Sequence, residues 1–467
     1  MLARLARHAL LISIVPGLLA AQGFGIYEQD ACTMGRGGAA AAAPCEDGSA
    51  IFFNPAGLAG LKGGHASAGA TFISVSGGFT DDLFQQTNSL NDPLLVIPHA
   101  YVTYAVTPKL GVGLGVFAPY GLETRWPLSF DGRFAGYDNS IRTLYIQPTA
   151  AYQATPWLRV GAGVDIVHGN VALHQRLDLS LTPVPLAGVP ANTTFGQFGI
   201  PYGTDFADAD LEASATKVTG HFGAIAKVND RLSVGLHYLM KVTLDYSGTA
   251  SFTQVPTGIV IPASLTVGAL TIPAGTPVDL LLSTQLGVFT SPNGLLANQT
   301  AMTSIANPDM LVAGVAFKPR GDLLLLADYQ WVNWSSFNTL QLTFTNALLN
   351  QAIPESYQNT SGFRFGAEWT RGDKTTVRLG YTRHGAAAPD QTVTPILPEG
   401  ERNEFSAGVT VKLAPQVTAA IAYQYIHQDD RRGRTREPLP GVDPATLTDG
   451  LYTFSANLVG VSFAVAF

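Results

Sequence analysis

The sequence predicts an all-β protein: a transmembrane antiparallel β-barrel of about fourteen strands with an N-terminal hatch inside its lumen. Three observations predict it. The first is alternation. Between Arg231 and Tyr246, Leu232, Val234, Leu236, Tyr238, Met240, Val242, Leu244 and Tyr246 are apolar. The intervening Arg231, Ser233, Gly235, His237, Lys241, Thr243 and Asp245 are small or polar, and only Leu239 breaks the pattern. Strand side chains point to opposite faces with period two, so this reads as one long strand with an apolar and a wet face. Such length is unusual in soluble sheets and necessary in lipid-spanning ones. The second observation is composition: 46% hydrophobic and 13% charged over 467 residues. No run of about 18 apolar residues follows the N-terminus, so helical spans are not supported. The third is turn spacing. Short connections fall at 107–109, 155–157, 229–230, 319–321, 371–373 and 414–416, and long ones near 79–94, 119–139, 179–210, 248–304, 346–356, 385–400 and 428–449. An even strand count with short turns at one end and long loops at the other is the outer-membrane plan.

Taken in order, residues 1–21 read as a secretory signal: Arg4 and Arg7, then an apolar Ala9–Leu19 stretch, then small Ala20 and Ala21. Residues 22–62 are rich in Gly and Ala and lack alternation. A domain of that size hardly buries a core alone, whereas folding inside the barrel as a plug solves the problem. Cys32 and Cys45 are the only cysteines. In an exported chain a disulfide between them is expected. A metal site is not, because no histidine pair stands beside them at ligand spacing. Residues 63–467 form the barrel. In 363–370, Phe363, Phe365, Ala367 and Trp369 oppose Arg364, Gly366, Glu368 and Thr370; in 404–413, Phe405, Ala407, Val409, Val411 and Leu413 oppose Glu404, Ser406, Gly408, Thr410 and Lys412. A charge facing lipid at mid-bilayer costs about 2–4 kcal/mol, which assigns the charged faces to the lumen. The longest loops, near 179–210 and 248–304, are apolar, with Phe195, Ile200, Val260, Ile261, Leu280, Leu281 and Leu282 among others. They read as a binding surface or as a cap packed on itself.

A net charge of −7 argues against a nucleic-acid partner. No nucleophile elbow, zincin motif or P-loop is present, so neither an enzyme nor a cofactor is expected. Asn54-Pro55-Ala56 reads as a docking turn. A partly desolvated carboxylate needs cationic partners, for which Lys217, His221, His237, Lys241, Arg364 and Arg378 on lumen faces, and Arg142, are the candidates. The run from Asp429 to Arg436 reads as a solvated loop tip or a contact for lipopolysaccharide.

Several ordered segments resemble one family, the outer-membrane long-chain fatty acid transporters, whose relatives take up toluene and similar hydrocarbons. They are Gly23–Gln29, Met34–Ala39, Ser49–Leu58, Pro119–Thr124 with Trp126-Pro127, Leu144–Pro148, Trp334–Phe337 and the C-terminal Gly450, Tyr452, Gly460 and Phe467. The resemblance implies a monomeric fourteen-stranded barrel closed by a hatch. It implies capture of a hydrophobic molecule by the outer loops, transfer to a pocket above the hatch, and sideways release at the third strand. Gly111, Gly113, Gly115 and Pro119 occupy that strand. The terminal Phe467 resembles the signal read by the barrel assembly machinery. The two cysteines and the long 248–304 loop depart from the family pattern. The alternative function is a surface receptor or adhesin with its hatch permanently shut.

Overall fold

The computed structural model describes residues 23–184, 189–190, 192–267, 270–436 and 448–467. The expected signal, residues 1–21, lies outside them. The wall consists of β1 (Gly64–Asp81), β2 (Leu95–Ala105), β3 (Leu110–Phe117, resuming at Gly121–Arg125), β4 (Asp138–Gln153), β5 (Leu158–Leu177), β6 (Ala207–Lys227), β7 (Leu232–Leu239 and Val242–Gln254), β8 (Gln299–Asn307 and Met310–Arg320), β9 (Leu323–Val332 and Thr339–Phe344), β10 (Gln351–Pro354 and Thr360–Arg371), β11 (Thr375–His384), β12 (Arg402–Ala414), β13 (Val417–Arg434) and β14 (Asp449–Ala466). Consecutive strands pair antiparallel, and β14 returns to β1 from His65↔Ala466 to Asp81↔Gly450. Closure leaves no backbone edge to desolvate in lipid.

The short turns show why they stop a strand. Thr107 Oγ1 accepts from the N–H groups of Lys109 (3.2 Å) and Leu110 (3.0 Å), and Thr155 does the same for Trp157 and Leu158. A hydroxyl that bonds the backbone ahead, followed by Pro with fixed φ, makes a compact reversal. Faces follow the expected rule on β10 and β12: Phe363, Phe365, Phe405 and Leu413 are exposed, while Arg364, Glu404 and Ser406 are buried.

On β7 the expectation of one continuous apolar face is corrected. The strand breaks after Leu239, and both Met240 and Lys241 are exposed. Leu239, Val242, Leu244 and Tyr246 are buried, whereas Lys241, Thr243 and Asp245 are exposed. One extra residue exchanges the faces of everything beyond it. Pairing with β6 lapses at the same place, between His221↔Leu239 and Ser214↔Ser247.

The segment before β1 carries two short helices, α1 (Ala31–Met34) and α2 (Ala50–Phe53), a 3-10 turn at Pro55–Gly60, and the Cys32–Cys45 disulfide. It is buried along most of its length among inward-facing side chains. Its N–H groups bond to wall side chains on widely separated strands: Ala31 to Ser462 Oγ (3.0 Å), Gly37 to Ser406 Oγ (2.9 Å), Ala40 and Ala41 to Asp328 Oδ2 (2.7 and 2.9 Å). Its Phe24, Tyr27, Phe52 and Phe53 join Phe117, Tyr120, Tyr145 and Trp334 in one aromatic core. The approach is so close that a Cβ on Gly235 would lie 1.9 Å from Ala41 O.

Outside the wall, the connections around 178–206 and 255–298 build a separate core from Leu179, Phe195, Ile200 and Phe206 against Ile261, Val278, Leu281 and Leu282. The apolar surface expected there is mostly internal: Phe195, Ile200, Ile261, Leu281 and Leu282 are buried, while Leu181, Val260 and Leu280 are about half exposed. The two loops satisfy each other's apolar burial. The basic run after Asp429 is likewise not a free tip. Arg431 pairs with Asp390 (3.0 Å), Arg436 with Asp131 (3.0 Å), and Arg432 with Asp82.

Candidate functional site

The wall has an opening where β3 is interrupted. Pairing of β2 with β3 runs from Ala105↔Gly111 to Ala100↔Val116 and ends there. Above it, Gly121–Arg125 pairs only with β4, and Leu95–Ile97 pairs only with β1. The upper lip is joined by a backbone bond from Asn91 N to Arg125 O (2.8 Å). Between the lips lies a cavity of about 650 Å³. Its lining includes Ile73, Leu95, Ile97, Leu122 and Leu458, from the inner face, and Leu94, Val96, Pro98 and Leu144, from the outer face. The void is lined by residues from both faces of the same strands.

The bonds that β3 withholds from β2 are taken up by the N-terminal segment. Ile26 N donates to Pro119 O (2.8 Å) and Gly121 N to Phe24 O (2.9 Å). Gln29 makes a reciprocal pair with Ala118: its Nε2 donates to Ala118 O (2.8 Å) and its Oε1 accepts from Ala118 N (2.9 Å). Pro119 has no N–H to offer a neighbouring strand. The interruption is therefore satisfied from inside the barrel rather than along the wall. Sequence reasoning missed Gln29; its only signal was a polar triplet, Glu28-Gln29-Asp30, inside a segment otherwise poor in charge.

Asp92 sits at the upper lip, where its Oδ1 accepts from Arg125 N (2.5 Å) and its Oδ2 is buried without a partner. Burial pushes its carboxyl up to about 6. Four charged side chains line the cavity: Glu28, Glu123, Arg142 and Arg402. Glu28 is held by Gln424 Nε2 (2.9 Å) and Tyr27 N (3.0 Å). Arg402 donates through Nε to Gln428 (3.4 Å) and lies near the Phe454 ring, and sequence reasoning did not single it out.

Most of the sequence-chosen candidates go elsewhere. Gly111, Gly113 and Gly115 are paired on both sides, and their bare faces meet the N-terminal segment: Cβ atoms would lie 2.4 Å from Leu58 O and 2.9 and 2.7 Å from Ile51 methyls. Asn54 is fully buried and donates through Nδ2 to Ala41 O (2.6 Å), Ala224 O (3.2 Å) and Leu236 O (3.3 Å). Its Oδ1 accepts from Ala56 N (3.1 Å), and Pro55 opens the following 3-10 turn. His221 and His237 contact each other (3.0 Å), and His237 reaches Tyr27 OH (3.2 Å). Arg364 lies 3.7 Å over the Tyr27 ring and donates to Gln330 (2.6 Å). Arg378 pairs with Glu368 (2.7 Å), which also faces Arg36 (3.6 Å). His237 and Arg364 touch the N-terminal segment directly through Tyr27, His221 and Arg378 reach it only through His237 and Glu368, and none of the four lines the cavity. Lys217 pairs with Asp245 (2.9 Å), both exposed, in the β6–β7 gap, and Lys241 faces outward because of the β7 break. Arg142 is exposed, pairs with Glu123 (2.8 Å) and does line the cavity.

The family pattern described as "Outer membrane protein transport protein (OMPP1/FadL/TodX)" matches residues 12–467. The chain belongs to this family. It is a bacterial outer-membrane protein. Similar relatives include the 47 kDa outer membrane protein of Pasteurella multocida, 23% identical with 89% of each chain covered. The long-chain fatty acid transport protein of Escherichia coli O6:H1 is 20% identical over 87% of this chain and 86% of its own. Among solved structures, a Pseudomonas aeruginosa FadL homologue superposes with a TM-score of 0.78 at 19% identity, covering 96% of this chain and 100% of that one. The Pseudomonas putida toluene transporter TodX gives 0.69 at 17% identity, covering 96% and 99%. These likenesses show a shared barrel fold for this family member.

Proposed function

We propose that this family member is a passive channel for hydrophobic molecules, long-chain fatty acids or hydrocarbons. Cargo enters beneath the outer-loop cap, occupies the cavity above the N-terminal segment and leaves sideways through the opening at β3. The N-terminal segment acts as the hatch. One observation carries the reading: the cavity is lined by residues from both faces of the wall, and the hatch holds the strand interruption open through Phe24, Ile26 and Gln29. A hatch movement that releases Gln29 from Ala118 would change the opening, which couples the two. The names of the relatives, a fatty acid transport protein and a toluene transporter, support the substrate class. Within that class Arg402 offers a carboxylate a cationic partner in an apolar surround.

The test is uptake of radiolabelled oleate, and separately of toluene, by cells lacking their own transporter and expressing this chain. Leu95→Trp fills the opening and is expected to lower uptake about tenfold. Arg402→Gln is expected to lower oleate uptake and leave toluene unchanged. No uptake of either by a correctly assembled barrel overturns the reading and favours a surface receptor.

A further inference from the structure

A second cavity, of about 330 Å³, lies at the short-turn end of the barrel, on the far side of the N-terminal segment from the wall opening. In an outer-membrane barrel that end is periplasmic. Its floor is the segment itself, including Cys45, Glu46, Gly57, Gly60 and Leu61. Four adjacent strands bring cations to it from their inner faces: Arg159 on β5, Lys227 on β6, Arg231 at the start of β7 and Lys318 on β8. Their placement follows from strand parity. Arg159 stands two residues before Gly161, whose bare face meets Pro55, and Lys318 two residues after buried Ala316. Arg159 lies against Gly60, where an added Cβ would be 2.2 Å from its Nη1.

The charges here do not cancel. Lys227 is paired with Asp230 (2.6 Å). Arg159, Arg231 and Lys318 have no ion pair among the described residues, and Glu46 is the other acid in the lining. Elsewhere in the interior, Arg378 and Arg36 share Glu368. Beside the three free cations stand apolar Leu61, Trp157 and Leu324. Convergent cations over an apolar wall, in a void of ordinary ligand size, suit a molecule with an anionic head and a short apolar tail.

We infer that this periplasmic mouth is a binding site for a medium-chain carboxylate, its head held by Arg159, Arg231 and Lys318 and its chain laid on Leu61, Trp157 and Leu324. The site does not depend on the sideways route, because its lining shares no residue with the wall cavity. A carboxylate held here is on the periplasmic side of the hatch.

Photo-crosslinking of the full-length protein in lipid nanodiscs tests this. The probes are decanoic acid bearing a chain diazirine and the matching alcohol, and labelled positions are read by peptide mass spectrometry. The acid is expected to label Leu61, Trp157 or Leu324 about tenfold more than the alcohol does. The variant Arg159→Gln/Arg231→Gln/Lys318→Gln, whose changes lie at a solvent-accessible rim, is expected to lose that labelling about tenfold. Its labelling at Leu95 and Leu397 in the wall cavity should stay unchanged. Equal labelling of the mouth by the alcohol, unchanged labelling in the triple variant, or labels confined to the wall cavity would each overturn the inference. Mouth labelling without wall labelling supports it and counts against the sideways channel instead.

Discussion

Two parts of the interior use opposite chemistry. Around the hatch, the space is filled and polar contacts are specific: Asn54 reaches three carbonyls, Asp328 caps two N–H groups, and Arg364 lies on Tyr27. At the β3 interruption there is a cavity of about 650 Å³ whose lining is mostly aliphatic. Both regions are built from inward positions of the same strands. Buried charge therefore clusters around the N-terminal segment, whereas the wall cavity is lined mainly by aliphatic side chains. A buried hydrogen-bonded contact has one correct geometry, which suits a seated segment. Apolar burial is non-directional, which suits varied hydrophobic cargo.

Substitutions can break that division or sharpen it. The largest effect is expected from Gly235→Val, whose side chain would occupy the position of Ala41 O, 1.9 Å away. Overpacking of this kind costs about 1–3 kcal/mol or more. Hydrogen exchange across residues 31–60 should lose its protection, and conductance in planar bilayers should rise. Next comes Asn54→Ala, which strands Ala41 O in a buried site at a cost of about 1–3 kcal/mol. It should raise exchange in the same residues while the wall strands stay protected. Leu122→Trp, in the cavity, should cut uptake about tenfold and leave hatch protection untouched. If it loosens the hatch as well, the two regions are not separable. By the same logic, bulky residues at Gly113 or Gly115 should act as hatch variants, because both face Ile51.

The smallest effect concerns pH at the upper lip. The Asp92 carboxyl is raised to about 6 in the folded protein, above its ordinary range near 4. The folded loop thus holds the proton more tightly than the unfolded one. Its stabilising contribution is complete below about pH 4 and is lost as pH rises to about 6. Protection factors of the amides in residues 82–94, corrected for the intrinsic pH dependence of exchange, should be higher at pH 4 than at pH 7.5, and Asp92→Asn should flatten the difference. An unchanged slope in that variant would point to another group.

Much of the wall was legible in the sequence. Thr-Pro turns and alternation carry local information, so fourteen strands and six short turns could be placed. The face exchange at Met240–Lys241 was not, because an apolar-polar rhythm looks the same whichever side it faces. That is why Lys241 was assigned to the lumen and lies outside it. The wall cavity was not legible from the residues themselves: the family resemblance pointed to the third strand, but Gln29, Asn91 and Arg402 come from distant positions that only the closed barrel brings together. The loop residues were legible as apolar, and a cap packed on itself was one of two readings; composition could not choose between them, since it does not say what a surface meets.

The hatch precedes β1 in the chain, yet its partners include Ser462 on β14 and Ser406 on β12. It emerges first and its socket is finished last. During assembly the segment must wait, tethered and unseated, until the final strands arrive. Seating is then the closing event of biogenesis, and a chain truncated before β14 would carry a hatch with nowhere to rest.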